Sequence, residues 1–196
     1  MKKAKIDVFG LLEKVRREKP VVHHLTNWVT IYDCANIVKV LGASPVMAHA
    51  KEEVAEMAGI ASSLVLNIGT LTVDFVEAMK IAARSANNKG IPVILDTCGA
   101  GATKLRDDKC LELINEARIN IIKGNTSEVA RISGEKVKTK GVDATPMIAV
   151  SSRAFGFLDK GPQYLLEHPD VAAQTLGPLG NRHIIGKQGG GIDVWF

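Results

Sequence analysis

Pro92-Val93-Ile94-Leu95-Asp96-Thr97-Cys98-Gly99-Ala100-Gly101-Ala102-Thr103 is the stretch that decides the fold of this chain. An apolar, β-branched run ends on an acid and opens into small residues, which let backbone N–H groups come close to a ligand. Ile119-Asn120-Ile121-Ile122-Lys123-Gly124 repeats the pattern with a cation at its end, and Asn125-Thr126-Ser127-Glu128 then enters a helix. An α/β protein holds a metal–phosphate group with two such strand ends, one carrying an acid and the other a base. The pairing points to phosphoryl transfer.

Working outward, the same alternation fills most of the chain. Leu11 to Arg17 reads as an amphipathic helix, and Val21 to Leu25 as a short strand that turns at Thr26-Asn27. A helix follows through Val40 and stops at Gly42, then a brief extended piece, Pro45-Val46-Met47. Lys51 to Ala58 is helical, and Ser62 to Ile68 is a buried strand ended by Gly69-Thr70. Asp74 to Asn88 is a strong helix with Phe75, Met79 and Ala82 or Ala83 on one face, closed by Gly90. Strand 92–96, a helix near 107–117, strand 119–122 and a helix near 126–132 complete the series. Strands apolar throughout, alternating with helices, predict a mainly parallel sheet covered by helices on both faces. Ligands of such sheets bind beyond the carboxyl ends of the strands. Asn27, Asn67, Gly69, Asp96, Lys123 and Asn125 all fall at those ends.

The character changes near Ala144, where glycine and proline become dense. Met147 to Ser151 reads as a strand and Gln163 to Glu167 as a short helix, but Leu176 to Gly191 is Gly-rich without periodicity. The expected organisation is an α/β domain over 1–143 and a divergent, poorly ordered tail over 144–196. The 196 residues suffice for a buried core, and 46% hydrophobic with 23% charged residues is ordinary for a globular chain. A net charge of +4 and 5% aromatics argue against a nucleic-acid partner. No apolar run approaches a membrane span, and the basic start Met1-Lys2-Lys3-Ala4-Lys5 lacks the apolar core of a secretion signal. Three cysteines without metal-type spacing (Cys34, Cys98, Cys110) fit a reducing cytoplasm.

Each candidate has a bland reading beside the chemical one. Asp96 at a strand end suits Mg²⁺, a hard cation that takes carboxylate oxygens and keeps several waters, but it equally suits a turn cap. Asn125-x-x-Glu128 places two oxygen-bearing side chains on one face at a helix start, which is also the spacing of a capping box. Lys123 either neutralises phosphate or is a solvated lysine. Met47, on a loop, offers a soft contact to a heteroaromatic ring or else packs. Cys98 has no histidine placed to activate it as a nucleophile. His23 and His24, at a strand end, are read as structural. No Gly-x-x-x-x-Gly-Lys-Ser/Thr occurs, which excludes a P-loop kinase.

His24-Leu-Thr-Asn27, Leu41-Gly-Ala-Ser-Pro-Val-Met-Ala48, Lys51-Glu-Glu-Val-Ala-Glu-Met57, Leu64-Val-Leu-Asn-Ile-Gly-Thr70, Val93-Ile-Leu-Asp96 with Gly99-Ala-Gly-Ala-Thr103, and Ile122-Lys-Gly-Asn-Thr-Ser-Glu128 together resemble the hydroxyethylthiazole kinases. The resemblance runs in order over about residues 10 to 143. It implies a ribokinase-like fold and ATP- and Mg²⁺-dependent phosphorylation of the alcohol of hydroxyethylthiazole in thiamine salvage, by a homotrimer with sites between subunits. By position it implies that Met47, Asn27 and Gly69 bind the thiazole, that Lys123 contacts ATP, and that Asp96 and Glu128 surround the metal. The sequence departs from the family in two places. Thr97-Cys98 replaces Pro-Val after the acid. After Asp143 nothing matches the family's later ATP-contacting threonine or its Thr-Gly-Ala-Gly-Cys segment, so no catalytic residue is assigned. The competing expectation is an impaired or binding-only remnant of such a kinase.

Overall fold

The computed structural model describes residues 7–133, 146–149, 184–186 and 193–195. They form six helices, α1 (Val8–Glu18), α2 (Ile31–Leu41), α3 (Val54–Ile60), α4 (Val73–Lys89), α5 (Lys104–Glu116) and α6 (Thr126–Ile132). The strands are β1 (Val21–Leu25), β2 (Ser44–Val46), β3 (Ser63–Asn67), β4 (Val93–Asp96), β5 (Ile121–Asn125), β6 (Pro146–Ala149), β7 (Ile184–Gly186) and β8 (Asp193–Trp195). The strands make one sheet in the order β2-β1-β3-β4-β5-β6-β7-β8. Pairs from β2 through β5 are parallel, as the unbroken apolar runs predict, and β5/β6, β6/β7 and β7/β8 are antiparallel.

Helix α4 shows how the sequence sets these elements. Thr72 caps its start, its hydroxyl accepting from Phe75 N at 3.1 Å. Gly90 ends it at φ +81°, a left-handed conformation that a side chain would strain. Phe75, Met79, Ala82 and Ala83 are all buried, and the alanines let the helix lie close to Leu64, Leu66, Val93 and Leu95 of the sheet. Burying Met79 completely contributes roughly 1.5–3 kcal/mol. Helices α3, α5 and α6 join it in the same core through Val54, Ala58, Cys110, Leu113 and Ile132.

The opposite sheet face carries α1 and α2. With β1 they line an open apolar groove of about 450 Å³ at the amino ends of the strands, formed by Leu12 and Val15 of α1, Val38 and Leu41 of α2, and Val22. The two sheet faces therefore do different jobs, one filled by the main core and the other covered at the β1 side. No helix among the described residues is long and apolar enough to cross a membrane.

Two expectations need adjusting. Helix α5 begins at Lys104, not near 107, because Thr103 Oγ1 caps it by accepting from Arg106 N at 3.3 Å. Within the Gly-rich stretch 176–191, where no element is expected, residues 184–186 form β7. The short helix expected at Gln163–Glu167, and most of the expected tail over 144–196, lie outside the described residues.

Candidate functional site

The carboxyl ends of β1, β3, β4 and β5 converge. Asn67 of β3 is in register with Asp96 of β4, and Asp96 with Lys123 of β5, so all three side chains leave one sheet face in a row. Lys123 Nζ donates to Asp96 Oδ2 at 2.7 Å. The lysine side chain is 52% exposed and the aspartate 15%, so the cation can swing toward an incoming anion while the acid stays largely buried. Asp96 Oδ1 has no hydrogen-bond partner among the described residues.

Glu128 is buried, and its carboxylate ties two loops together. Its Oε1 accepts from Gly99 N at 2.7 Å and its Oε2 from Asn125 N at 2.8 Å. Asn125 Oδ1 accepts in turn from Glu128 N at 2.8 Å. The capping box read from the spacing is therefore formed. One lone-pair direction remains on each carboxylate oxygen, which leaves the acid able to meet a cation or its water. The loop above Asp96 is held by a second carboxylate, Asp107, which accepts from Gly101 N at 2.6 Å and from Arg131 Nε at 2.8 Å.

On the other side, Asn27 works mainly as the keystone of a turn. Its Oδ1 accepts from Val29 N, Thr30 N and Thr30 Oγ1, each at 3.1 Å. Its Nδ2 donates to Asn67 Oδ1 at 2.9 Å, an oxygen that also accepts from Gly69 N at 2.8 Å. Trp28 N donates to Thr70 Oγ1 at 3.0 Å, lacing the two loops again. Gly69 is required by this closeness, since a Cβ there would lie 2.9 Å from both Asn27 Cβ and Asn67 Oδ1. Met47, half-buried, follows β2 in the adjoining loop, one residue beyond the His23–Val46 register pair.

Arg106 joins the two sides. Its Nη1 donates to Ile68 O at 2.6 Å and Cys98 O at 3.1 Å, and its Nη2 to Gly69 O at 2.5 Å. The planar fork of arginine suits such a bridge. Cys98 is half-buried, and burial first, then the nearby Asp96 and Glu128 charges, pushes its thiol pKa up. It stays protonated and is a poor nucleophile, in line with the bland reading. All three cysteines are free.

The structure thus puts Asp96, Lys123 and Glu128 at the carboxyl ends of β4 and β5 and Asn27 with Gly69 just beyond those of β1 and β3, with Met47 on the loop after β2. Sequence reasoning placed Asn67 at the site without a role, and missed Arg106 and a Trp28–His49–Phe75 ring cluster, in which Trp28 and His49 meet edge-on at 4.8 Å. Asn67 carries a sequence signal, a polar residue ending an apolar strand, as Asp96 does. Arg106 carries none, because its partners lie 37 and 38 residues away.

Comparison with known proteins bears on this geometry. The model of the hydroxyethylthiazole kinase family matches residues 12–154. A hydroxyethylthiazole kinase of Methanosarcina mazei is 55% identical over 138 residues, which are 70% of this chain and 53% of that protein. One from Thermoanaerobacter pseudethanolicus is 53% identical over 134 residues, 68% of this chain and 51% of that protein. The solved structure of a hydroxyethylthiazole kinase protein from Pyrococcus horikoshii superposes with a TM-score of 0.61 at 43% identity, covering 64% of this chain and 49% of that one. The chain spans about half the length of the curated relatives it matches.

Proposed function

Because the chain belongs to the hydroxyethylthiazole kinase family, we propose that it acts on 4-methyl-5-(2-hydroxyethyl)thiazole, transferring the γ-phosphate of ATP to the alcohol in thiamine salvage. The observation that carries this reading is the register row Asn67, Asp96 and Lys123, with the Lys123–Asp96 contact of 2.7 Å at its end. Met47, Asn27 and Gly69 form the thiazole side. Asn27 contributes chiefly by holding its turn, since its Oδ1 already accepts three hydrogen bonds. Lys123 turns from Asp96 to the phosphates, while the N–H groups of the 99–101 loop are spent on Glu128, Thr97 O and Asp107 and hold the loop's shape.

The acids fit a magnesium ion. Asp96 Oδ1 is free among the described residues and Glu128 keeps lone pairs beyond its two backbone bonds. No group of three or more His, Cys, Asp or Glu that would hold a metal occurs among the described residues. Mg²⁺ takes one or two carboxylates and completes its shell with water and substrate phosphates. When bound, the ion offsets negative charge on the phosphates. The protein's own part is to hold the alcohol and the nucleotide close and in line, and to exclude water between them.

We place this chemistry in the cytoplasm, in a homotrimer. The α/β unit of 1–143 carries the site, followed by a divergent tail over 144–196. The test is to incubate the purified chain with ATP, Mg²⁺ and hydroxyethylthiazole and assay the phosphate ester by mass spectrometry. Ester formation above a no-protein control, abolished in Asp96→Asn, is the expected outcome. Saturable binding of the thiazole without ester would favour a binding-only remnant. Neither ester nor binding from folded protein would reject both.

A further inference from the structure

His23 is completely buried in β1, and its Nδ1 has no hydrogen-bond partner among the described residues. Its Nε2 lies 2.8 Å from Ala48 O. A carbonyl only accepts, so Nε2 carries the proton and the ring is the neutral Nε2–H tautomer. Burial lowers its pKa, which agrees with that state. An apolar residue would fill this core position without an orphaned nitrogen, so the imidazole is there for the bond it makes.

That bond reaches the loop after β2, and a second imidazole acts on the same loop. His49 Nδ1 lies 3.2 Å from Met47 O. The His49 ring is held edge-on by Trp28, at 4.8 Å between centroids, and by Phe75, at 6.4 Å. The carbonyls of residues 47 and 48 are therefore each gripped by a ring nitrogen. Each peptide is planar, so Met47 O sets the plane that follows Met47 and Ala48 O the next one, while Val46 is held on the other side by its pairing with His23, and the backbone that carries the Cα–Cβ bond of Met47 is fixed between these anchors. Without the grip, Met47 would be a three-torsion, adaptable side chain on a short loop.

We propose that His23 and His49 are positioning residues that preset Met47 to receive a small heteroaromatic ring. The assignment rests on the reading of Met47 as a substrate contact, but the clamp itself is a property of the free protein. His23 is the stronger half, because it is buried and comes from the sheet, whereas His49 is exposed and is steadied by its ring neighbours.

Two variants separate positioning from bulk stability. Glutamine carries an N–H donor close to where His23 Nε2 sits, so His23→Gln keeps the bond to Ala48 O. His23→Leu fills the space and removes it. Methyl-labelled methionine NMR on the free protein reads Met47 directly, with Met79, buried in the core, as internal control. In His23→Leu the Met47 methyl should move toward its random-coil position, amide exchange at residues 48–50 should quicken about tenfold, and Met79 should stay fixed. His23→Gln should restore the wild-type values. Thiazole titration adds a second arm, with dissociation constants about tenfold weaker in His23→Leu and near wild type in His23→Gln. A Met47 methyl and loop exchange unchanged by His23→Leu would overturn the clamp. Failure of the wild-type chain to bind thiazole, with the NMR contrast intact, would instead remove the substrate reading and leave the clamp standing.

Discussion

His24, beside the clamp, is where acid should be felt first. It is 8% exposed, and neither ring nitrogen has a partner among the described residues. Burial, helped by the neighbouring His23, pushes its pKa down to about 4 from 6.5. The unfolded chain takes up a proton below about pH 6.5 that the folded chain refuses until about pH 4, so stability is complete above the upper value and drains away as pH falls through that window. The full effect is on the order of 3 kcal/mol. Urea unfolding at about pH 7.5 and about pH 5 should differ by roughly 2 kcal/mol, and His24→Val should remove most of that difference. An equally steep decline in the variant would show that burial of His24 is not the cause. Gly69 makes a second residue-scale prediction. Gly69→Ala forces a Cβ against Asn27 and Asn67, and should destabilise the fold by about 1–3 kcal/mol in thermal melts.

Among elements, α4 and α5 are joined by one cation. The Lys80 side chain is 8% exposed, and its ammonium lies 3.0 Å from Glu77, 2.8 Å from Glu112 and 2.9 Å from Glu116. The hydrogen bond to Glu112, then those to Glu116 and Glu77, raise its pKa despite burial; Glu116 is lowered by Lys80 and then Arg84, and Glu112 by Lys109 and then Lys80. Lys80→Met leaves Glu77 without an ion-pair partner among the described residues and Glu112 and Glu116 with only Lys109 and Arg84, and should lower stability at neutral pH by about 1–2 kcal/mol, less than a fully buried pair because the acids are half-exposed. The loss should shrink as pH drops through the carboxylate range and the acids protonate, which denaturation at about pH 4 would check. Elements of this kind were legible where local chemistry sets them. Thr72 and Gly90 bracket α4 within the chain itself, and the apolar runs of β3 and β4 announce buried parallel strands. The start of α5 was hidden by the Gly99-Ala-Gly101 run, and β7 by three-residue length in glycine-rich surroundings. Within the site, residues that end strands were readable, whereas the Arg106 fork and the Trp28–His49 contact were not. Their partners are distant in sequence, and only the closed sheet brings them within reach.

For the whole molecule, the outer side of α2 is the feature that demands company. The helix buries only Val38, while Tyr32, Ile37 and Val40 stand in solvent, Val40 at 71% exposure. A helix apolar on both sides normally packs on both sides, which supports the proposed trimer. Light scattering after size exclusion should give about three times the 21.0 kDa chain mass, and Val40→Glu should shift it toward monomer. A monomeric wild type would remove that assembly. The order β2-β1-β3-β4-β5 carries a different consequence. After the first pair, β3 docks on the free edge of β1, and β4 and β5 each dock on the strand made just before them. A chain emerging from the ribosome can therefore assemble vectorially, with no strand waiting for a partner not yet made, and its nascent apolar edges are covered almost as soon as they appear.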